Sequence, residues 1–383
     1  MNNAFKLVIV HMFILLLVIF SGCTKNEKNY TIETINGMKT FRNKNIPSTK
    51  DLVVKPVELF TILDADESST DSTRLLNRIS DFDVDSKNNL YILDYKNNSM
   101  KKFDNKGNYI KSFGRKGKGP GETEMSNWML ILNDTIIYDD YIVKDMVKFD
   151  PDGKYLYKNR ITETGPFERY QALGKTKIIG YQAYYEEVEK EMFVSYNLTI
   201  VNSNFQKYKQ VAQKRTKFIQ GKYNFFDTFL SAYATSDSLI YFAEKSESKY
   251  KINVFDHEAK QLYSITKNYA KIPFNEEELK VFDTEYKNTW YFSDNKSQFK
   301  SAIIQMEYDK YDRLWVFSSV KRDDKNQTDL LIDIFKNGVF LQQIKLDICP
   351  GYDFVNYDHR IRLLQDRLYY LNTQDQYMKV YDY

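Results

Sequence analysis

After the first two dozen positions, apolar and polar residues alternate with a period of two over runs of five or six, and each run ends in a short polar turn. The stretch at 79–122, ISDFDVDSKNNLYILDYKNNSMKKFDNKGNYIKSFGRKGKGPGE, holds one complete unit. Its alternation predicts a first strand at 79–84, a turn at 85–89 and a second strand at 90–93. A third strand at 100–103 turns through Asn105-Lys106-Gly107 into a fourth at 109–113. One such sheet cannot bury its own apolar face, so the pattern implies further copies packed against it.

Those copies are present. Second strands read LYILD at Leu90, IIYDD at Ile136, KIIGYQ at Lys177, LIYFAE at Leu239, LWVFSS at Leu314 and LYYLNT at Leu368. Third strands follow as MKKFDNKG at Met100, MVKFDPDG at Met146, LTIVNSN at Leu198, INVFDHEA at Ile252, LIDIFKNG at Leu331 and MKVYDY at Met378. An aromatic or aliphatic residue, then Asp or Asn, then a polar turn, is what a tight hairpin requires. Equivalent strands at Leu90 and Ile136 lie about 46 residues apart, near the period of propeller blades. The fold class is therefore all-β, a six-bladed β-propeller.

Two insertions stretch the later spacings. Residues 273–288, PFNEEELKVFDTEYKN, place Asn275 as an N-cap with Glu278 three positions on, which predicts one short helix over a rim between blades 4 and 5. Residues 184–192, YYEEVEKEM, fit either a hairpin tip or a helical turn.

The chain ends complete the count. The last unit stops after its third strand, whereas residues 51–63, DLVVKPVELFTIL, form a β-rich segment with no unit of their own. Pairing between the two would supply the missing outer strand and close the ring. Pro56 suits an edge position, where a missing N–H costs least.

The N-terminus changes the setting. Lys6 precedes an apolar run at 7–20, short for a membrane span and typical of a signal-peptide core. The run ends in Phe20-Ser21-Gly22-Cys23, which resembles the lipobox of bacterial lipoproteins, with Phe20 where leucine is usual. On that reading 1–22 is a signal peptide and Cys23 carries lipid; the alternatives are an ordinary signal peptide or an uncleaved anchor. Residues 23–50, rich in Asn, Lys and Thr, read as a flexible tether, and the propeller occupies 51–383. Cys349 is the one other cysteine, so a lipidated Cys23 leaves no intrachain disulfide.

Composition adds little more. With 31 Tyr and 26 Phe the chain is suited to strands, and 55 basic against 52 acidic residues leaves a formal charge of +3, too small to imply a nucleic-acid partner.

The NNLYILD and KKFDNKGNYIKSFG runs, the Gly117-Lys118-Gly119-Pro120-Gly121-Glu122 loop and the lipobox together resemble the six-bladed β-propeller lipoproteins of Bacteroidetes, related in style to NHL-repeat propellers. The resemblance spans about residue 51 to the C-terminus and is specific over the first two blades. It implies the fold and a lipid-anchored place in the bacterial cell envelope, with the outer membrane as the expected surface. It implies no chemistry, because propellers carry enzymes, binders and scaffolds on one frame.

Ligands of propellers meet the loops that lead from each outer strand to the next inner strand. The first such loop contains Arg115, Lys116, Lys118 and Glu122; its glycines and cations suit an anion, while its Gly-Pro corner and Glu122 suit a purely structural turn. It lacks the Gly-Lys-Ser/Thr ending of a P-loop. Gly165-Pro166-Phe167-Glu168 echoes it, so Glu168 is a second candidate, and Pro273 and Pro350-Gly351 fall in equivalent places. Trp128 and Trp290 are placed for stacking on a sugar, Trp315 for the core. His359 and Arg360 open the last inner strand. Asp81, Asp83 and Asp85 alternate onto one side, where they cap turn N–H groups or gather a cation; Ser86 and Ile92 break the EF-hand pattern. His257 sits in a hairpin turn, no histidine pair is spaced for zinc, and no G-x-S-x-G or HExxH occurs.

No metal, cofactor or catalytic residue is indicated. The expected function is a membrane-tethered, non-catalytic binding or scaffold protein for a glycan, peptide or envelope protein, with a polysaccharide lyase or hydrolase as the alternative.

Overall fold

A computed structural model describes residues 28–63, 76, 78–161, 167–219, 232–280, 298–321, 330–348, 359–373 and 375–383. Cys23, Trp290, Cys349, Gly165-Pro166 and Pro350-Gly351 lie outside the described residues, as do the side chains of Phe167 and His359.

Three strands, β1 (Tyr30–Ile35), β2 (Met38–Asn43) and β3 (Val57–Leu63), precede the first full blade. Blade 1 comprises β4 (Ile79–Val84), β5 (Leu90–Asp94), β6 (Ser99–Phe103) and β7 (Tyr109–Phe113). A two-stranded parallel clip, β8 (Arg115–Lys116) with β9 (Glu122–Thr123), leads to blade 2: β10 (Met129–Leu132), β11 (Thr135–Asp140), β12 (Asp145–Phe149) and β13 (Tyr155–Arg160). Blade 3 is β14 (Phe167–Leu173), β15 (Lys177–Val188), β16 (Glu191–Asn202) and β17 (Lys207–Lys217). Blade 4 contains β18 (Ala232–Thr235), β19 (Leu239–Ala243), β20 (Lys251–Asp256) and β21 (Gln261–Lys267). Blade 5 is β22 (Ile303–Tyr308), β23 (Leu314–Ser318), β24 (Leu330–Lys336) and β25 (Val339–Leu346). Blade 6 holds β26 (His359–Leu364), β27 (Arg367–Asn372) and β28 (Tyr377–Asp382). Its outer strand is β3, antiparallel to β28, with Phe60 opposite Val380 and Ile62 opposite Met378.

Local turn chemistry explains why the repeat folds as it does. At the end of the third strand Asp104 accepts the N–H groups of Lys106 and Asn108, and Asp150 and Asp256 do the same two and four residues on. Asn202 takes that place in blade 3. Each turn glycine then receives an aromatic ring from the blade before it: Gly107 meets Phe60, and Gly153 meets Phe113. Apolar clusters fill every blade junction; Trp315, Tyr91, Tyr138, Tyr369 and Tyr370 are among the largest fully buried side chains.

Residues 23–50 were expected to be a tether, and from Tyr30 onward the structure differs. β1 and β2 form a hairpin, and β2 lies parallel to β21, which makes blade 4 a six-stranded sheet. Phe41 packs edge-on against Tyr263 at 5.4 Å, and buried Asn43 donates to Thr266 and Gly338 carbonyls while accepting the Phe340 N–H. The chain then passes along blade 5, where the N–H groups of Ser48 and Thr49 reach the carbonyls of Phe340 and Leu341. Leu52 and Val54 pack on the core shared by blades 5 and 6 before β3 begins. Residues 30–63 thus bind the rims of three blades together.

Of the two insertions, residues 184–192 form a hairpin tip: β15 and β16 turn through Glu189 and Lys190, both at positive φ. The other starts a helix at 276–280, and its predicted capping box is present, with Asn275 N–H on Glu278 Oε2 at 2.9 Å and Glu278 N–H on Asn275 Oδ1 at 2.8 Å.

Candidate binding site at the upper mouth

The first strand of every blade lines the axis, and each presents one edge without a backbone ladder. Side chains from neighbouring blades answer those edges, as an exposed sheet edge requires. Arg360 and Arg362 on β26 donate to the carbonyls of Ser80 and Phe82 on β4. Asp81 and Asp83 on β4 in turn accept the N–H groups of Met129 at 2.9 Å and Ile131 at 2.7 Å on β10. On the other side of β26, Gln305 donates to the carbonyl of Ile361, and Glu307 accepts the N–H of Leu363. Tyr170 reaches from β14 to the Trp128 carbonyl at 2.7 Å, and Tyr233 from β18 to that of Arg169.

The alternating acids therefore divide their work. Asp85 caps its own turn through Lys87 and Asn89, as expected, while Asp81 and Asp83 cap the next blade. They are also the counter-charge for the arginines: Asp81 Oδ1 lies 3.7 Å from Arg360 and 3.6 Å from Arg362. Burial works against the charge on Arg362, yet Asp83, Asp81 and Glu307 outweigh it and hold the guanidinium above its usual range. Burial pushes Glu307 up to about 7, against a hydrogen bond from Gln305 and the charge of Arg362. Burial likewise raises Asp83.

At the upper mouth, where loops lead from outer to inner strands, two of the predicted residues meet. The guanidinium of Arg360 stands 5.4 Å from the centre of the Trp128 ring, a cation–π geometry spanning blades 6 and 2 across the top of β4. Trp128 is held in place: its backbone N–H donates to Asp139, and its side chain packs on the core between blades 2 and 3. Burial drives Asp139 up to about 7 although the Trp128 and Asn127 N–H groups oppose it. Glu168, on β14 of blade 3, is also raised, by burial opposed by Arg169, and no described residue hydrogen-bonds or ion-pairs its carboxylate. Tyr141 lies within electrostatic reach of Glu168, Tyr185 and Asp139.

The glycine-rich loop is built differently. Arg115 binds Glu122 at 2.5 Å and Lys118 binds Glu124 at 3.3 Å. Glu122 also accepts the Gly119 N–H at 2.9 Å, and these hydrogen bonds keep its carboxylate below the usual range. The loop folds around its own carboxylate, with Arg115 and Lys118 outermost at about four-fifths exposed, 80% and 81%. Lys116 is exposed on the same clip. The structure does not join this loop to the Trp128 corner through any described contact. The backbone of His359 opens β26, and Trp315 is fully buried with its indole N–H on Asp309.

Sequence reasoning missed Arg362, Glu307 and Asp139. Arg362 could have been found, because it stands two positions from Arg360 on a strand and so shares its face. Among the described residues no three His, Cys, Asp or Glu side chains gather as metal ligands, and no helix is long and apolar enough to cross a membrane.

No protein-family model matches the chain, and no curated protein does. Among solved structures it is similar to a putative exported protein from Bacteroides fragilis, at 13% identity and a TM-score of 0.51 over 89% of this chain and 98% of the other. A DUF4221 family member from Bacteroides vulgatus aligns at 10% identity and a TM-score of 0.47, over 86% of this chain and 97% of that one. The first likeness shows a shared fold.

Proposed function

We propose that the protein is a non-catalytic binding propeller of the bacterial cell envelope, tethered by lipid on Cys23, that engages a glycan at its upper mouth through Trp128, Arg360 and Glu168. The observation that carries this reading is the Trp128–Arg360 pair. An indole with a cation beside it offers both an apolar stacking face and a polar edge, the combination that a sugar ring needs. A peptide or partner protein would use the same face, and the order of preference follows from the aromatic.

The experiment is a glycan and envelope-protein binding screen on the soluble form starting at Thr24, with product analysis of every glycan bound. A bound glycan recovered intact is the expected result.

A second reading is favoured by one observation. Glu168 has a raised pKa with no hydrogen-bond or ion-pair partner among the described residues, as a proton donor in a polysaccharide lyase or hydrolase would. Shortened or unsaturated products in the same screen, abolished by Glu168→Gln, would establish that activity in place of simple binding.

A further inference from the structure

The place where the chain joins the folded body is fixed by its own hydrogen bonds. The Asn29 carbonyl accepts the Lys44 N–H at 2.9 Å, and its side-chain amide donates to the Pro47 carbonyl at 2.8 Å. Tyr30 pairs with Asn43, whose side chain donates to the Thr266 carbonyl of blade 4 and the Gly338 carbonyl at blade 5, and accepts the Phe340 N–H. The start of β1 therefore sits on the outer border of blades 4 and 5. Asn29 stands six positions after Cys23, a stretch that spans about 20 Å at full extension. A folded chain of this length is about 50 Å across. A lipid on Cys23 thus keeps this border close to the bilayer and the far side of the ring away from it.

The surface at that border has the chemistry of a bilayer contact. β1 is the last strand of its sheet, so its outer edge has no backbone ladder among the described residues. Ile32 on this strand is 52% exposed, and Ile46, next to Pro47, is 53% exposed. Single exposed isoleucines are ordinary; the charge around these two is not. Residues 28–50 carry Lys28, Lys39, Arg42, Lys44 and Lys50 against Glu33 alone, and all five cations are exposed. The one carboxylate is held by Arg42 at 3.0 Å. This surplus of four positive charges exceeds the formal +3 of the whole chain, so the remainder of the protein is slightly acidic.

Exposed aliphatic side chains flanked by cations match the two layers of a membrane surface, its acyl boundary and its anionic headgroups. We propose that the hairpin edge at the border of blades 4 and 5 is a membrane-docking surface, on which Ile32 and Ile46 enter the acyl boundary while Lys28, Lys39 and Lys44 meet anionic phospholipid headgroups. This goes beyond the glycan reading and rests on one part of it, the lipid on Cys23. In a ring of six, blade 4 stands opposite blade 1, and blade 5 opposite blade 2. The clip of β8 and β9 between blades 1 and 2 therefore points away from the bilayer, and both mouths of the channel open to the side. The competing occupant is a second copy of the chain, paired edge to edge through β1.

Two preparations test this. The soluble form starting at Thr24, which carries no lipid, is sedimented with vesicles of phosphatidylglycerol and of phosphatidylcholine. Wild type is compared with Lys39→Gln/Lys44→Gln and with Lys116→Gln/Lys118→Gln, which remove the same charge from opposite sides of the ring. The expected result is binding to phosphatidylglycerol vesicles alone, weakened about tenfold or more by the first pair and unchanged by the second. Equal losses in the two pairs, no vesicle binding, or a dimer in place of vesicle binding overturns the surface. The full chain in the same vesicles, with Cys349→Ser, is then labelled with a fluorophore at Ile32→Cys or at Arg115→Cys. Spin-labelled lipid should quench the label at 32 and spare the one at 115; equal or reversed quenching overturns the orientation. The mass of the N-terminal peptide reads the anchor separately. An unmodified Cys23 overturns the lipid reading, and the soluble form then decides the surface by itself.

Discussion

The ring of Phe60 lies so close to Gly107 that a Cβ built on the glycine would fall 2.5 Å from Cδ2 of the phenylalanine. Phe60 belongs to the strand that completes blade 6, and Gly107 to a turn of blade 1, so this contact is where the circle of blades meets itself.

Gly107→Ala should therefore carry two penalties. The left-handed backbone (φ +85) costs about 1–2 kcal/mol for a residue with a Cβ, and the clash adds about 1–3 kcal/mol of overpacking. Gly37 has a similar φ of +77 with nothing within 4 Å, so Gly37→Ala should show only the first. Urea unfolding of the two variants separates the terms, and equal losses would mean that the Phe60 contact carries no weight.

Asn43→Ala should cost about 2–4 kcal/mol, because it removes bonds to Thr266 and Gly338 and leaves the Phe340 N–H buried without its acceptor. A chain shortened to begin at Asp51 should lose at least as much. Thermal denaturation of both checks that the hairpin is part of the folded body, and an unchanged melting temperature for the shortened chain would return residues 30–43 to the role of a linker.

Asp139 gives stability a pH dependence of definite sign. Its carboxyl titrates at about 7 when folded, against an ordinary value of 3.8, so between those values the native state holds a proton that the unfolded chain has released. Stability from this group is complete below about pH 4 and is lost as the pH rises through 7. Asp139→Asn keeps an oxygen for the Asn127 and Trp128 N–H groups and removes the ionisation. The variant should be more stable than wild type at pH 8 by up to about 4 kcal/mol, and of similar stability at pH 4. Glu307, also near 7, keeps its own share of the slope. Unfolding free energies measured from pH 4 to 8 check this.

What could be read from the chain depended on distance along it. The turn at Asp104, the capping box at Asn275 and the alternation at residues 90–93 are satisfied within a few residues, so local chemistry specifies them. The hairpin at 30–43 was hidden because β2 finds its partner in β21, far along the chain, and turns Lys39 and Arg42 to solvent. Asp81 and Asp83 were read correctly as alternating onto one side, but whose N–H groups they would cap depended on the blade placed beside them. Trp128 and Arg360 were each singled out separately; their contact arises because closing the ring brings the last inner strand next to the first.

The most direct test of the binding account is a calorimetric titration of a glycan selected in the screen against wild type, Trp128→Ala and Arg115→Ala. The account predicts at least about a tenfold loss for Trp128→Ala, as stacking on an aromatic worth about 1.5 kcal/mol implies, and wild-type affinity for Arg115→Ala. Unchanged binding by Trp128→Ala would contradict it.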